Sequence, residues 1–526
     1  MLKTHAASAL LQRSRITLAA TSSSPSSSSP ASPAAKSPIT TPIITMPSSH
    51  DAHAPPPPQS QQQLKDQRPP ESAYFPLGYK EAAYQWWSSV TPSMAEHNVL
   101  SLIPHVREAT KTPSSPNTDP HGPRFWRRSL VQLSGKNRAL NQVCIQHAGL
   151  SSTPPDETLV MIHGYGAGLG FFYKNLEPIS RIPGLRLYAL DMLGMGNSSR
   201  PCFKIHAKEK NKQVMEAEDW FIDALEEWRK ERKLDRFTLL GHSLGGYLAV
   251  SYAIKYPGHL NKLILASPVG IPEDPYAINA SMPDPKDSSL AQEFTQDQQS
   301  VVDNSTISPH TSKNAAVTKA KDANAPKRPL PAWLVWLWDA NVSPFSLVRL
   351  TGPLGPRLVS GWSSRRFNHL PTQEAQALHN YSFSIFKQRG SGEYALAYIL
   401  APGAYARRPI INRIHEVGRQ SVAHPDGSRV KETGIPIVFM YGENDWMDVA
   451  GGLAAEQRIK ETSERALRQA ASPQDQEAEN GSAKVVIIPR SGHHLYLDNP
   501  DEFNRVIREE IEDTMQHLKK TRPTAS

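Results

Sequence analysis

Six short apolar runs recur along the chain, each closing on a turn-forming or small residue. Glu157-Thr-Leu-Val-Met-Ile162 ends at His163-Gly164, Leu185 to Leu190 at Asp191, and Arg236 to Leu240 at Gly241. Lys262 to Ala266 ends at Ser267-Pro268, Pro436 to Met440 at Tyr441-Gly442, and Lys484 to Ile488 at Pro489. Runs this short, apolar on both faces, predict strands buried in a parallel sheet. Between them the period changes to that of a helix. Glu216 to Arg232 places Trp220, Ile222, Leu225 and Trp228 at helical spacing, and Gly245 to Tyr256 follows the run that ends at Gly241. A last helix opens with Asn499 as its cap and Pro500 in its first turn, with Asp501 and Glu502 near the positive end of the dipole. Strands alternating with helices predict a doubly wound α/β domain, a mostly parallel sheet flanked by helices.

The alternation stops between Pro272 and Gly434, a stretch too long for a loop, which predicts an inserted cap over 272–433. Within it, 280–327 is rich in Asp, Gln, Ser, Asn and Lys and reads as disordered. Pro331-Ala-Trp-Leu-Val-Trp-Leu-Trp338 follows, with Trp362 further on. Lys327, Arg328, Arg349, Arg357, Arg365 and Arg366 surround it, against the single acid Asp339. Tryptophan beside cations suits an interfacial membrane contact. A buried cap helix over a pocket accounts for the same residues, and both readings stand. The core is then 156–271 joined to 434–520, with an N-terminal extension over 71–155.

Composition changes this picture at its ends. Twelve of the 46 prolines lie in the first 70 of 526 residues, a region too poor in apolar residues to offset its ordering entropy, so 1–70 reads as disordered. The net charge is +8, and half of it (Lys3, Arg13, Arg15 and Lys36) precedes the first acid, Asp51. An acid-free start with Arg, Leu, Ala and Ser resembles an organelle transit peptide, with the mitochondrion as destination. The plainer reading is a basic tail with Met46 as a second start. The remaining charge is mild and argues against a nucleic-acid partner. Cys144 and Cys202 are too few for a disulfide framework or a thiolate metal site, which suits a reducing compartment. The longest apolar run, around Ala332 to Trp338, falls short of the ~20 residues of a membrane span.

The candidate chemistry lies at the strand ends. Gly241-His242-Ser243-Leu244-Gly245 is G-x-S-x-G between a predicted strand and a predicted helix, the context a nucleophile elbow requires. Asp445 follows the strand Pro436 to Met440, and His493 follows the last one. The chain order Ser243, Asp445, His493 matches that of α/β-hydrolases. A serine hydroxyl is a poor nucleophile until a neutral imidazole takes its proton, and a carboxylate holds that imidazole in the right tautomer. His493 is read as the base, with His494 as its neighbour, and Asp445 as the acid, with Asp448 as the alternative. The oxyanion needs two N–H donors, assigned to Leu244, directly after the nucleophile, and Tyr165 in His163-Gly-Tyr-Gly-Ala-Gly168. That loop lacks the Gly-Lys-Ser/Thr ending of a phosphate-binding P-loop. His493 and Asp498 also make the H-x-x-x-x-D spacing of glycerolipid acyltransferases. In the simpler reading Asp498 merely leads into the last helix.

Together these residues resemble one α/β-hydrolase family. It holds the animal lipid-droplet coactivator of triglyceride lipase and its catalytic relatives acting on N-acyl phospholipids. It also holds the fungal mitochondrial cardiolipin-specific deacylase and its lysophosphatidic acid acyltransferase paralogues. The resemblance rests on His163 to Gly170, Asp191-Met-Leu-Gly-Met-Gly-Asn-Ser-Ser-Arg-Pro201, Leu225-Glu-Glu-Trp-Arg229, Gly241 to Tyr247 and Tyr256-Pro257. Arg407-Arg-Pro409, Tyr441-Gly-Glu-Asn-Asp-Trp446 and Gly492 through Asp498 complete it. It implies an α/β-hydrolase fold and acyl chemistry on glycerophospholipids at a membrane surface, without cofactor or metal. With the transit-like start it points to a serine phospholipase that deacylates cardiolipin on the matrix side of the mitochondrial inner membrane, in acyl-chain remodelling. The alternatives are a lysophosphatidic acid acyltransferase in phosphatidic acid biosynthesis, and a non-catalytic lipase coactivator in the cytosol or on a lipid droplet. A soluble esterase or peptidase on the same fold is a further competitor. The coactivator has lost its serine, whereas this chain keeps Ser243. An epoxide hydrolase or dehalogenase would carry a carboxylate there. Arg407 and Arg408 are candidate readers of a phosphate head group, or solvated cap residues.

Overall fold

Nine strands build one sheet in a computed structural model, which describes residues 75–88, 90–109, 119–148, 155–274, 338, 340–423 and 427–521. The transit-like 1–70 region, the 280–327 stretch, Trp333 and Trp336 lie outside these residues. The strands are β1 (Arg107–Glu108), β2 (Arg124–Gln132), β3 (Ala139–His147), β4 (Glu157–Ile162) and β5 (Leu185–Leu190). β6 (Phe237–His242), β7 (Leu260–Ala266), β8 (Pro436–Gly442) and β9 (Ser482–Ile488) complete them. Their order is β1-β2-β3-β5-β4-β6-β7-β8-β9. From β5 to β9 every neighbouring pair is parallel, and β3 runs antiparallel to both β2 and β5. All six apolar runs are strands of the parallel part. The cap interrupts the chain between β7 and β8, yet the two strands pair directly, Ile437 opposite Leu263. The two core segments are therefore one domain.

The main helices are α1 (Tyr79–Trp87), α2 (Pro92–Leu100), α3 (Tyr173–Ile179), α4 (Lys210–Glu231) and α5 (Leu244–Lys255). They continue with α6 (Pro344–Leu350), α7 (Gly355–Arg366), α8 (Thr372–Phe386), α9 (Val449–Gln469) and α10 (Pro500–Thr521). One face of the sheet buries Leu239, Leu263 and Phe439 under Trp228 of α4, Tyr247 and Tyr252 of α5 and Ile459 of α9. The other buries Leu240, Ile264 and Val438 under Leu176 of α3 and Phe503 and Ile507 of α10. Burial on both faces is why these strands read as unbroken apolar runs. Asn499 caps α10 as expected, its Oδ1 accepting the Glu502 N–H at 3.3 Å. Among the described residues no helix is long and apolar enough to cross a membrane.

The extension over 71–155 does more than precede the core, because β1, β2 and β3 belong to the sheet itself. The hydrophobic pattern hides β2, whose Arg124-Phe-Trp-Arg-Arg128 start sets two aromatics among three arginines with no period of two. Arg124 is nevertheless fully buried, its guanidinium held by Asp119 at 2.8 Å and Glu177 at 2.6 Å.

Helix α2 inserts another buried ionisable group, the carboxyl of Glu96. Its Oε2 accepts from Asn141 at 2.7 Å and Asn197 at 2.8 Å, and Asn141 also donates to Asp191 Oδ2 at 2.8 Å. Burial first, then the charge of Asp191, push the Glu96 carboxyl up to about 8 from its ordinary 4.5. A carboxyl raised by folding stabilises the native state fully below its unfolded pKa, and that contribution disappears as pH rises through the folded one. Glu96→Gln is expected to flatten the decline in stability between about pH 5 and 8, which for one such group is at most ~1.4 kcal/mol per pH unit. Thermal unfolding across that range checks this, and parallel curves for variant and wild type would contradict it.

Candidate active site

Ser243 occupies the single residue between β6 and α5, with φ +53° and ψ −117°. This left-handed strain turns the strand into the helix and lifts the hydroxyl off the sheet. The flanking glycines are required by contact. A Cβ on Gly241 would stand 2.4 Å from the carbonyl oxygen of Gly245, and one on Gly245 2.6 Å from that of His163. Both obstacles are backbone atoms.

The structure brings the predicted partners to this turn. His493 Nε2 lies 3.0 Å from Ser243 Oγ, and its Nδ1 lies 3.3 Å from Asp445 Oδ1. The Asp445 side chain is fully buried and accepts the Met447 N–H at 3.0 Å and the Gly442 N–H at 3.3 Å. Asp448 instead caps α9, its Oδ1 accepting the Ala450 N–H at 2.8 Å. His494 lines the cavity beside Ser243, while the nitrogen facing Ser243 Oγ is that of His493. Trp446 covers the His493 ring at 4.8 Å between centroids.

Two contributors had not been singled out in the sequence. His242, the variable residue before the nucleophile, donates Nε2–H to the His493 carbonyl at 2.9 Å and so holds the loop that carries the base. Burial, with His493 and His494 alongside, keeps its imidazole neutral by lowering its pKa well below the ordinary value. Ser267, directly after β7, reaches both Asp445 Oδ2 at 2.5 Å and His493 Nδ1 at 2.6 Å. Its signal was its place at the carboxyl end of a parallel strand, where such sheets assemble their sites.

Leu244 opens α5, where helical N–H groups have no partner within the helix and face the same end as Ser243. The glycine loop after β4 forms the opposite wall. Gly164, Tyr165, Gly166 and Ala167 line one cavity with Ser243 and His493, and Phe345, Trp362 and Phe386 of the cap close it. Tyr165 stacks on Phe345 at 5.4 Å, and Phe345 on Phe386 at 4.6 Å. The loop is tied down from behind. Leu169 donates its N–H to Asp191 Oδ1 at 2.6 Å, and Met192 donates its N–H to His163 Nε2 at 3.1 Å. The second contact makes Nδ1 the protonated nitrogen of His163, which donates to the Gly164 carbonyl at 2.7 Å.

Other candidates fall elsewhere. Arg408 is paired with Glu218 of α4 at 2.6 Å, a carboxylate that also accepts from Arg413 at 2.9 Å and from the Tyr247 hydroxyl at 2.5 Å. Arg407 donates to the Ala397 carbonyl at 3.0 Å. Neither is among the described residues that line the cavity with Ser243, where no Arg or Lys occurs, and Arg408 already has an internal counter-ion in Glu218. The ring nitrogens of His493 face Ser243, Ser267 and Asp445, and Asp498 has other partners. It accepts the Gly492 N–H at 3.0 Å and Arg366 of the cap at 2.8 Å. Trp338 is buried against the sheet core and Trp362 lines the cavity, so these two serve the buried-cap reading.

Comparison with known proteins adds a lineage to this geometry. A family model described as the alpha/beta hydrolase fold matches residues 157–500. The chain is 32% identical over 421 residues to a 1-acylglycerol-3-phosphate O-acyltransferase of Arabidopsis thaliana, covering 78% of each. It is 29% identical over 392 residues to 1-acylglycerol-3-phosphate O-acyltransferase ABHD5 of Mus musculus, covering 74% of this chain and 85% of that one. A (lyso)-N-acylphosphatidylethanolamine lipase of Homo sapiens is 29% identical over 375 residues, with 70% of this chain and 83% of that one covered.

Proposed function

The chain belongs to the α/β-hydrolase family, beside the ABHD5-named acyltransferases and the N-acylphosphatidylethanolamine lipase, and from that premise we propose that it is a serine acyl hydrolase of glycerophospholipids. The observation that carries the reading is the strained Ser243 with its Oγ 3.0 Å from a histidine backed by a buried carboxylate. Ser243 Oγ attacks the ester carbonyl as its proton passes to His493 Nε2. The Leu244 and Tyr165 N–H groups receive the oxyanion. The tetrahedral adduct collapses as Nε2 returns the proton to the departing lysolipid oxygen, leaving an acyl-serine. Water, activated by the same nitrogen, then releases the fatty acid. A lysophospholipid hydroxyl in place of that water turns hydrolysis into acyl transfer, and the acyltransferase names of the relatives favour this second outcome.

Cardiolipin is the proposed donor, with peripheral attachment on the matrix side of the mitochondrial inner membrane as the proposed location. The acid-free start with Lys3, Arg13 and Arg15 supports the compartment. Large apolar side chains left in solvent, Tyr79, Tyr84 and Trp87 of α1 and Leu347 and Leu350 of α6, support contact with a lipid surface.

The test is product analysis with purified protein on vesicles of phosphatidylcholine, phosphatidylethanolamine and cardiolipin, with and without lysophosphatidic acid. Fatty acid and monolysocardiolipin are expected without acceptor, and phosphatidic acid in addition with it. Acyl loss from the other two lipids alone would remove cardiolipin from the reading. No acyl loss from any of them would sink the hydrolase reading and leave the coactivator.

A further inference from the structure

We propose that Ser267 is the positioning residue that couples Asp445 to His493, so that acid and base communicate chiefly through its hydroxyl. The inference rests on the catalytic reading of Ser243 above and adds a fourth member to that site. Ser267 is fully buried. Its φ of +47° is rare for a residue with a side chain, and its N–H is fixed to the Met440 carbonyl on β8 at 2.7 Å. That backbone turn aims the hydroxyl between the two catalytic groups.

Proton counting decides the direction of the contacts. The Asp445 carboxylate has no proton to give, so the one hydroxyl proton of Ser267 is donated to Asp445 Oδ2, at 2.5 Å. The Ser267 oxygen is then left as an acceptor, and the partner at 2.6 Å, His493 Nδ1, must carry the proton. With Nδ1 protonated, Nε2 presents a lone pair to Ser243 Oγ, the tautomer needed to receive the serine proton. The alternative route, a direct Nδ1–H bond to Asp445 Oδ1, spans 3.3 Å, beyond the usual range of such bonds. The shorter path through Ser267 therefore dominates. No bond is made or broken at Ser267, and its proton stays on oxygen throughout.

A small residue that merely fills space at the end of β7 would leave the imidazole undisturbed when changed, and two variants separate the cases. Ser267→Ala removes the hydroxyl. Ser267→Gly removes it while relieving the positive φ, so a folding defect is not built into it. The first readout is the rate at which a fluorophosphonate labels Ser243. It is expected to fall roughly 10- to 100-fold in both variants, less than the ~10⁴ of a wrong tautomer because the direct Asp445 contact survives. In an Asp445→Asn background the same change should cost under about threefold, since an interrupted coupling cannot be interrupted twice. The second readout is the proton NMR signal of His493 Nδ1–H, expected at low field in the wild-type protein and moved upfield in Ser267→Gly. Labelling within about threefold of wild type in both variants, or full additivity with Asp445→Asn, overturns the proposal. If wild-type Ser243 does not label at all, the hydrolase reading fails, and the Nδ1–H signal still decides on Ser267: an unmoved signal overturns it, and a moved one supports it.

Discussion

Ser243→Ala is expected to lower release of fatty acid from phospholipid vesicles by on the order of 10⁴-fold or more, to the level supported by the oxyanion donors and binding alone. His493 Nε2 faces Ser243 Oγ at 3.0 Å, so the variant removes the hydroxyl whose proton the base takes. The fold should be untouched. Alanine at φ +53° is as strained as serine, and the glycines that permit the turn remain. Thermal unfolding should therefore stay within a few degrees of wild type. His493→Ala should cost about as much, and the double variant little more than either, because residues that act as one unit do not contribute additively. The same experiment addresses the coactivator alternative, since a scaffold would not depend on Ser243 for turnover or label there with a fluorophosphonate. Undiminished release from Ser243→Ala would sink the assignment of Ser243, Asp445 and His493.

Asp498→Asn is expected to destabilise the protein by ~3–5 kcal/mol at neutral pH, the cost of leaving one member of a buried ion pair without its partner. Arg366 and Asp498 are 4% and 13% exposed and bonded at 2.8 Å, and the second carboxylate oxygen holds the Gly492 N–H directly before His493. The pair thus joins a cap helix to the loop that carries the base. Burial alone would raise the Asp498 carboxyl, but the charges of Arg366 and His494 and the Arg366 hydrogen bond together outweigh it and hold it below the usual range. A carboxyl lowered by folding contributes stability above its unfolded pKa, and the contribution is lost as pH falls through the folded one. The gap in stability between wild type and Asp498→Asn should accordingly be widest at neutral pH and narrow below about pH 4. This separates the two readings of the H-x-x-x-x-D spacing. If Asp498 is structural, hydrolysis and transfer to lysophosphatidic acid fall together, in step with thermal stability. Selective loss of transfer at unchanged stability would instead make Asp498 part of acyl-acceptor activation. Arg366→Met, broken from the other side, should reproduce the loss of stability.

Much of the site was legible because its requirements are local. The turn at Ser243 needs small residues at fixed offsets, so Gly241 and Gly245 announce it. Asp445 and His493 each follow a run apolar on both faces, and the sheet gathers the ends of such runs. Polar burial escaped the pattern. Arg124 reads as a surface charge until Asp119 and Glu177 are brought to it, so β2 was invisible. Arg408 reads as a cation without a partner until Glu218 arrives from 190 positions away. Ser267 looks like one more serine at a strand end, and its use depends on two groups more than 170 residues distant.

By itself the sequence determined the fold class and nominated Ser243, Asp445 and His493 at the strand ends, because hydrophobic periodicity and turn sterics are properties of neighbouring residues. Only the tertiary structure decided which charges are spent inside the protein and which groups set the imidazole's proton, because a counter-ion or hydrogen-bond partner is defined by distance in space. For Ser267 that distance is 2.6 Å to the histidine, across 226 positions of chain.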